Sequence, residues 1–112
     1  MKKLLCAIFV LVASFVYSQD VTVLQINAEW NKKNNYDLSD ITGATVKFSY
    51  LKDQPKEVQN KIMAVPVIVI MDESGRVKMQ YIADISLQIK ATHLEIQNTI
   101  DRLKRTRRAS TN

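Results

Sequence analysis

The chain predicts an α/β domain, one mixed four-stranded sheet with helices on both faces, in the order β-α-β-α-β-β-α. Three observations carry this. Through the first half, β-branched apolar runs alternate with stretches whose apolar residues recur at helical spacing, which calls for parallel strands joined by helical crossovers. Two later apolar runs are separated by "DESG" at 72–75, a link that suits a hairpin and is too short for a crossover. The final segment opens on "THLE" (92–95) and then keeps one apolar face, the pattern of a capped amphipathic helix.

The elements follow in order. "VTVLQIN" (21–27) is apolar on both faces, which predicts a strand in the interior of the sheet. Residues 31–42 are polar but space Leu38 and Ile41 like one face of a helix, with Gly43 placed to end it. Asn31, Asn34 and Asn35 in that window are poor helix formers. "ATVKFSYL" (44–51) alternates, with Val46, Phe48 and Tyr50 on one side and Lys47, Ser49 and Leu51 on the other. Pro55 suits the first turn of a helix, where its missing N–H would have no partner anyway. Val58 and Ile62 then fall at i and i+4, toward a core. "VPVIVIM" (65–71) reads as a second buried strand, and "RVKMQYI" (76–82) returns with Val77, Met79 and Tyr81 on one side. Thr92 caps the final helix and Glu95 reaches back, while Ile96, Ile100 and Leu103 form its seam to about Arg105, with Leu94 at the flank.

A length of 112 residues accommodates one small domain, and an apolar share of 46% with 24% charged is that of a globular chain. The first residues stand apart. Lys2 and Lys3 precede the apolar run at 4–16, and Val16-Tyr17-Ser18 ends it in the manner of a cleavage site. Residues 1–18 are therefore expected to be an export signal, with a domain over 19–106 and a basic flexible tail at 107–112. The apolar run falls short of the roughly 20 residues of a membrane span; an uncleaved anchor is the competing reading. Cys6, the sole cysteine, lies at the start of that run after Leu4 and Leu5, whereas the acylated cysteine of a lipoprotein follows it. The mature protein, periplasmic or secreted, is then expected to hold no disulfide, thiol nucleophile or thiolate ligand. Loss of Lys2 and Lys3 changes the net charge from 16 − 11 = +5 to 14 − 11 = +3.

Three stretches together resemble the thioredoxin-like superfamily. "NAEWNKKN" (27–34) is similar to that family's Ala-x-Trp-Cys-x-x-Cys, with Trp30 on the tryptophan and Asn31 and Asn34 on the two cysteines. "IMAVPVIVIM" (62–71) resembles the stretch around its cis-proline, which places Val65 and Pro66 there, and "MDESGRVK" (71–78) looks like the turn of the following hairpin. The likeness spans about residues 21–105. The chain departs from the family in a shorter first helix and in lacking the extra N-terminal strand and helix, so it resembles the minimal form of the fold.

The resemblance implies a groove between the Trp30 turn and the Val65–Pro66 loop, where family members present backbone groups to an extended chain. Disulfide exchange needs a thiolate to attack sulfur and a second thiol to resolve the product. Asparagine supplies neither. Asn31 and Asn34 are read as helix-starting residues, whose side-chain oxygens accept from free N–H groups; the other reading makes them polar contacts to a peptide beside Pro66.

Other residues carry less. His93 stands by itself at a helix start without a metal-ligating neighbourhood, and Glu29 reads as a surface acid. With two glycines, Gly43 and Gly75, a phosphate-cradling loop is excluded. The basic "DRLKRTRR" (101–108) has no interleaved aromatic residues to stack on bases, so it does not predict nucleic-acid binding. It leaves open a weak contact with an anionic surface.

The sequence thus predicts an exported, redox-inactive protein of this fold, not an enzyme and without a cofactor. It would bind a protein or extended peptide through Trp30, Asn31, Asn34, Val65 and Pro66. The alternatives are a structural subunit of an envelope or virion assembly, or an enzyme of non-thiol chemistry.

Overall fold

The computed structural model describes residues 20–111, so the expected signal segment and its cleavage point lie outside the described residues. Four strands form one sheet: β1 (Thr22–Asn27), β2 (Thr45–Tyr50), β3 (Val67–Met71) and β4 (Val77–Ile82), in the order β2-β1-β3-β4. β1 runs parallel to β2 and antiparallel to β3, and β3 runs antiparallel to β4. Helix α1 (Lys56–Lys61) precedes β3, and helix α2 (His93–Thr111) ends the described chain.

Burial explains the strand order. Every residue of β1 and of β3 is buried, and such strands need a neighbour on each side and cover on each face. One core cluster holds Val21, Val23, Ile68 and Ile70 against Ile96 and Ile100 of α2. The other holds Leu24, Ile26, Val67, Val69 and Met71 against Val58 of α1. The alternation along β1 and β3 therefore sends successive side chains to opposite layers, and helices cover both faces.

Two details differ from the sequence expectation, and each has a physical cause. Val77 does not share a side with Met79 and Tyr81. Met71 pairs with Val77 but Ile70 pairs with Met79, which leaves Lys78 as the extra residue of a bulge. The bulge turns Val77 into the α1 layer while Met79 and Tyr81 pack in the α2 layer.

The larger difference lies between β1 and β2. A short 3-10 turn spans Glu29–Asn34, and the residues from Asn35 to Ala44 form an irregular strap in place of the expected α-helix. Leu38 and Ile41 are buried as their spacing predicted, but the backbone reaches them by other means. Asp37 folds its carboxylate onto the N–H of Ser39 at 2.9 Å, a local turn that competes with helix. Gly43 has φ +78°; the left-handed backbone there suits glycine, and it ends the strap instead of a helix.

Because the strap lacks a helical ladder, side chains satisfy its backbone. Gln25 accepts from the N–H of Tyr36 at 2.7 Å and donates to its carbonyl at 2.9 Å. Gln97 does the same for Thr42, at 3.0 and 2.8 Å. His93 Nε2 donates to the Asp37 carbonyl at 2.6 Å, and Lys104 to that of Gly43 at 2.8 Å. α2 itself begins as its sequence predicts, with the Glu95 N–H donating to the Thr92 hydroxyl at 3.1 Å. It continues to Thr111, past Arg105.

Candidate functional site

Asparagines close the end of the sheet where β1 stops and β3 starts. Asn27, the last residue of β1, is fully buried. Its Oδ1 accepts from the Ala28 N–H at 2.8 Å, and its Nδ2 donates to the Asn31 carbonyl at 3.0 Å and to Asn35 Oδ1. These bonds bend the chain from strand into the 3-10 turn.

Asn31 joins three segments. Its side chain is 2% exposed and its φ of −113° interrupts the turn. Nδ2 lies 3.2 Å from the Val65 carbonyl, 3.2 Å from the Leu87 carbonyl and 3.3 Å from Asn27 Oδ1. Two amide protons are thus shared among three acceptors. Oδ1 accepts from Asn34 Nδ2 at 2.6 Å. One amide therefore ties the Trp30 turn to the Pro66 loop and to the loop after β4. The group is suited to the place because it donates and accepts while remaining uncharged, so its burial carries no ionic desolvation penalty. Among the described residues, no buried side-chain nitrogen or oxygen lacks a hydrogen-bond partner.

The loop after β4 is shaped to meet that amide. Leu87 has φ +63°, a left-handed conformation that costs a leucine about 1 kcal/mol. The bonds Leu87 N–H to Asp84 O (2.9 Å) and Asp84 N–H to Gln88 O (3.1 Å) close the loop. The Ser86 hydroxyl and N–H both donate to the Asp84 carboxylate and hold its pKa below the ordinary range. Across the turn, Glu29 bonds to the Lys52 ammonium, which lowers the pKa of the acid and raises that of the amine. Both are solvent-facing, so Glu29 is a surface acid.

Around this buried network the same end of the molecule is apolar. Trp30 is 70% exposed, and Met63, Ile82 and Ile85 are also exposed. A cavity of about 110 Å³ opens between Lys61, Ile62, Met63, Ala64, Val67, Gln80 and Ile82. The Val65–Pro66 peptide bond is cis, and the Ala83 N–H donates to the Pro66 carbonyl at 3.1 Å, so the loop is tied to the end of β4.

The five residues singled out in the sequence thus meet at one end of the sheet, but they face different ways. Trp30 is on the surface; Asn34 is half-buried on its bond to Asn31; Asn31, Val65 and Pro66 are buried. Neither asparagine caps the turn, which begins at Glu29 and ends at Asn34. Ala28 occupies the cap position and no side-chain cap bond is present. The expected capping role is replaced by long-range staples because the segment is not an α-helix with a row of free N–H groups to receive it. Asn27, Asn35 and Leu87 were not anticipated. The signal for Asn27 was present: a terminal amide in a strand otherwise buried must find polar partners, and the nearby asparagines supply them. Among the described residues, no three His, Cys, Asp or Glu side chains gather to hold a metal ion.

No family model matches this chain, and no curated protein does. Among solved structures it is similar to a mutant thioredoxin from Halobacterium salinarum NRC-1. That likeness has 16% identity and a TM-score of 0.55, over 82% of this chain and 81% of that chain. At such identity the likeness extends to the fold.

Proposed function

From the premise that the chain has a thioredoxin-like fold, we propose that it is an exported, redox-inactive member of that fold. It binds an extended polypeptide across the Trp30 turn and the Val65–Pro66 loop. The observation that carries this reading is the apolar set of Trp30, Met63, Ile82 and Ile85, left exposed around a base whose buried side-chain polar atoms are all hydrogen-bonded. Exposed apolar groups gathered at one end of a small domain mark an interaction surface, and a pre-ordered base lowers the ordering cost of binding. Because the Val65 carbonyl is occupied by Asn31, affinity comes mainly from side chains of the partner that seat on Trp30 and in the cavity beside Met63 and Ile82.

Redox inactivity is supported by composition. Cys6 is the chain's one cysteine, so no dithiol can form in a chain of this sequence. Export is supported by the basic start and the apolar run at 4–16; intact mass of the exported protein tests it, with Gln19 expected as the first residue. If Asn31 and Asn34 stand where the family has its cysteines, the double variant Asn31→Cys, Asn34→Cys closes a disulfide, because the two amides already touch. Thiol titration of the folded variant checks this.

The binding reading has a direct test, since Trp30 is the single tryptophan. Peptides selected from a displayed library against the purified protein are expected to shift Trp30 emission to the blue as its indole leaves water. Trp30→Ala abolishes their binding and leaves the fold intact. Peptides that bind equally well without Trp30 would remove the groove from the reading.

A further inference from the structure

The second unpartnered surface lies on the opposite edge of the sheet, along β2. Among the described residues β2 pairs with β1 only. In a parallel ladder alternate residues direct both backbone groups to the neighbour. The Thr45 N–H donates to the Val21 carbonyl at 2.9 Å, so Thr45, Lys47 and Ser49 face β1. Val46, Phe48 and Tyr50 direct their backbone groups outward. The same three residues carry the apolar side chains of the strand. Val46 is 41% and Phe48 44% exposed, and Phe48 meets Tyr50 edge-on at 5.0 Å. They are uncovered because Leu38 and Ile41 of the strap pack into the core beside β1 and β3 instead of over β2.

We infer that β2 is a self-association edge that pairs with β2 of a second copy of this chain, antiparallel about a two-fold axis at Phe48. The register follows from the outward groups. Phe48 faces Phe48 of the partner copy across a hydrogen-bonded pair, and Val46 faces Tyr50 on either side. Each apolar side chain then meets an apolar neighbour on the same face. On the other face Lys47, the one charged residue of β2, stands opposite the neutral Ser49. A two-fold placed at Lys47 would set ammonium against ammonium, and a register one residue off would lose the outward hydrogen bonds. Pairing in this way closes the edge that an exposed apolar strand leaves open and joins two sheets into one.

The strand supplies its own complement, so the occupant of this edge is a second copy of the chain. Each copy carries +3 once residues 1–18 are set aside (14 − 11), so the association strengthens as salt screens that repulsion.

The test is sedimentation equilibrium on protein recovered after expression of the full chain, at low and high salt, with folding of each variant checked by circular dichroism. The wild type is expected to be a dimer, tighter at high salt. Phe48→Lys and Phe48→Glu each place like charges face to face and weaken it by at least about tenfold. An equimolar mixture of the two restores a dimer, because opposite charges then meet on the axis. Leu94→Lys, on the exposed flank of α2, leaves association unchanged. A monomeric wild type overturns the inference, as does a dimer indifferent to both Phe48 substitutions. Folded, monomeric variants whose mixture stays monomeric overturn the two-fold register.

Discussion

The crossover from β1 to β2 and the helix α2 cover the same face of the sheet by opposite means. α2 satisfies its own backbone, so its side chains are divided between a buried seam and a solvated surface. The crossover has no ladder of its own. Its carbonyls and N–H groups are held by Gln25, His93, Gln97 and Lys104, and its first turn by Asn27 and Asn31. A self-satisfied element tolerates change outside its core contacts. A segment satisfied by other elements is sensitive wherever a polar side chain reaches it.

This contrast can be broken at several points, beginning with the seam that α2 depends on. Ile100 is fully buried, and Ile100→Ala is expected to cost about 4 kcal/mol, within the range for a large-to-small core change. Urea denaturation measures it. Asn31→Ala should come close, at about 3 kcal/mol, because it leaves the Val65 and Leu87 carbonyls without their amide. If Asn31→Ala is nearly neutral, the amide network is not what orders the groove.

Gln25→Ala removes both bonds to the Tyr36 backbone from a buried position, and about 2 kcal/mol is expected. Hydrogen exchange should show protection lost in the strap while α2 keeps its own. Equal loss in both would mean that they unfold as one unit and the contrast fails.

The strap should also respond to pH at both ends. The Ser39 hydroxyl and N–H hold the Asp37 carboxyl below its ordinary 3.8. A depressed folded pKa contributes stability above about pH 4, and that contribution disappears as pH falls through the folded value. Burial, aided by Glu95 and Tyr81, pushes the Tyr36 phenol above its ordinary 10.0. Its contribution is complete below pH 10.0 and is lost as pH rises through the folded value. Tyr36→Phe, which removes the 2.7 Å bond to the Ala91 carbonyl, should cost about 1 kcal/mol and remove the tyrosine's share of the alkaline arm in a melting-temperature profile. The smallest effect belongs to the exposed face of α2. Leu94→Ala should fall within about 0.5 kcal/mol of the wild type.

Much of the architecture was legible in the sequence because it rests on local periodicity. Continuous apolar runs marked β1 and β3 as the interior strands, "DESG" marked the hairpin, and Thr92 and Glu95 marked the start of α2. Leu38 and Ile41 were recognised as buried, since hydrophobic content declares burial whatever the backbone does. The backbone conformation that buries them was not legible. Helical spacing and an irregular strap can place the same two residues inward, and the choice depends on partners far along the chain. Gln97 lies 55 residues from Thr42, and His93 lies 56 from Asp37.

The candidate site divides in the same way. The sequence, through its resemblance to the thioredoxin-like superfamily, placed Trp30, Asn31, Asn34, Val65 and Pro66 in one region, and the pairing of β1 with β3 sets the end of one beside the start of the other. By itself the sequence determined that Asn31 and Asn34 cannot form a thiolate, since side-chain chemistry is read directly from residue type. Only the tertiary structure decided that Trp30 faces solvent while Asn31 is buried as a staple between three segments. The Lys78 bulge and the left-handed Leu87 were likewise decided there. Whether an amide is a free contact or a buried tie depends on which carbonyls the fold brings within hydrogen-bonding reach, and those of Val65 and Leu87 lie 34 and 56 residues away.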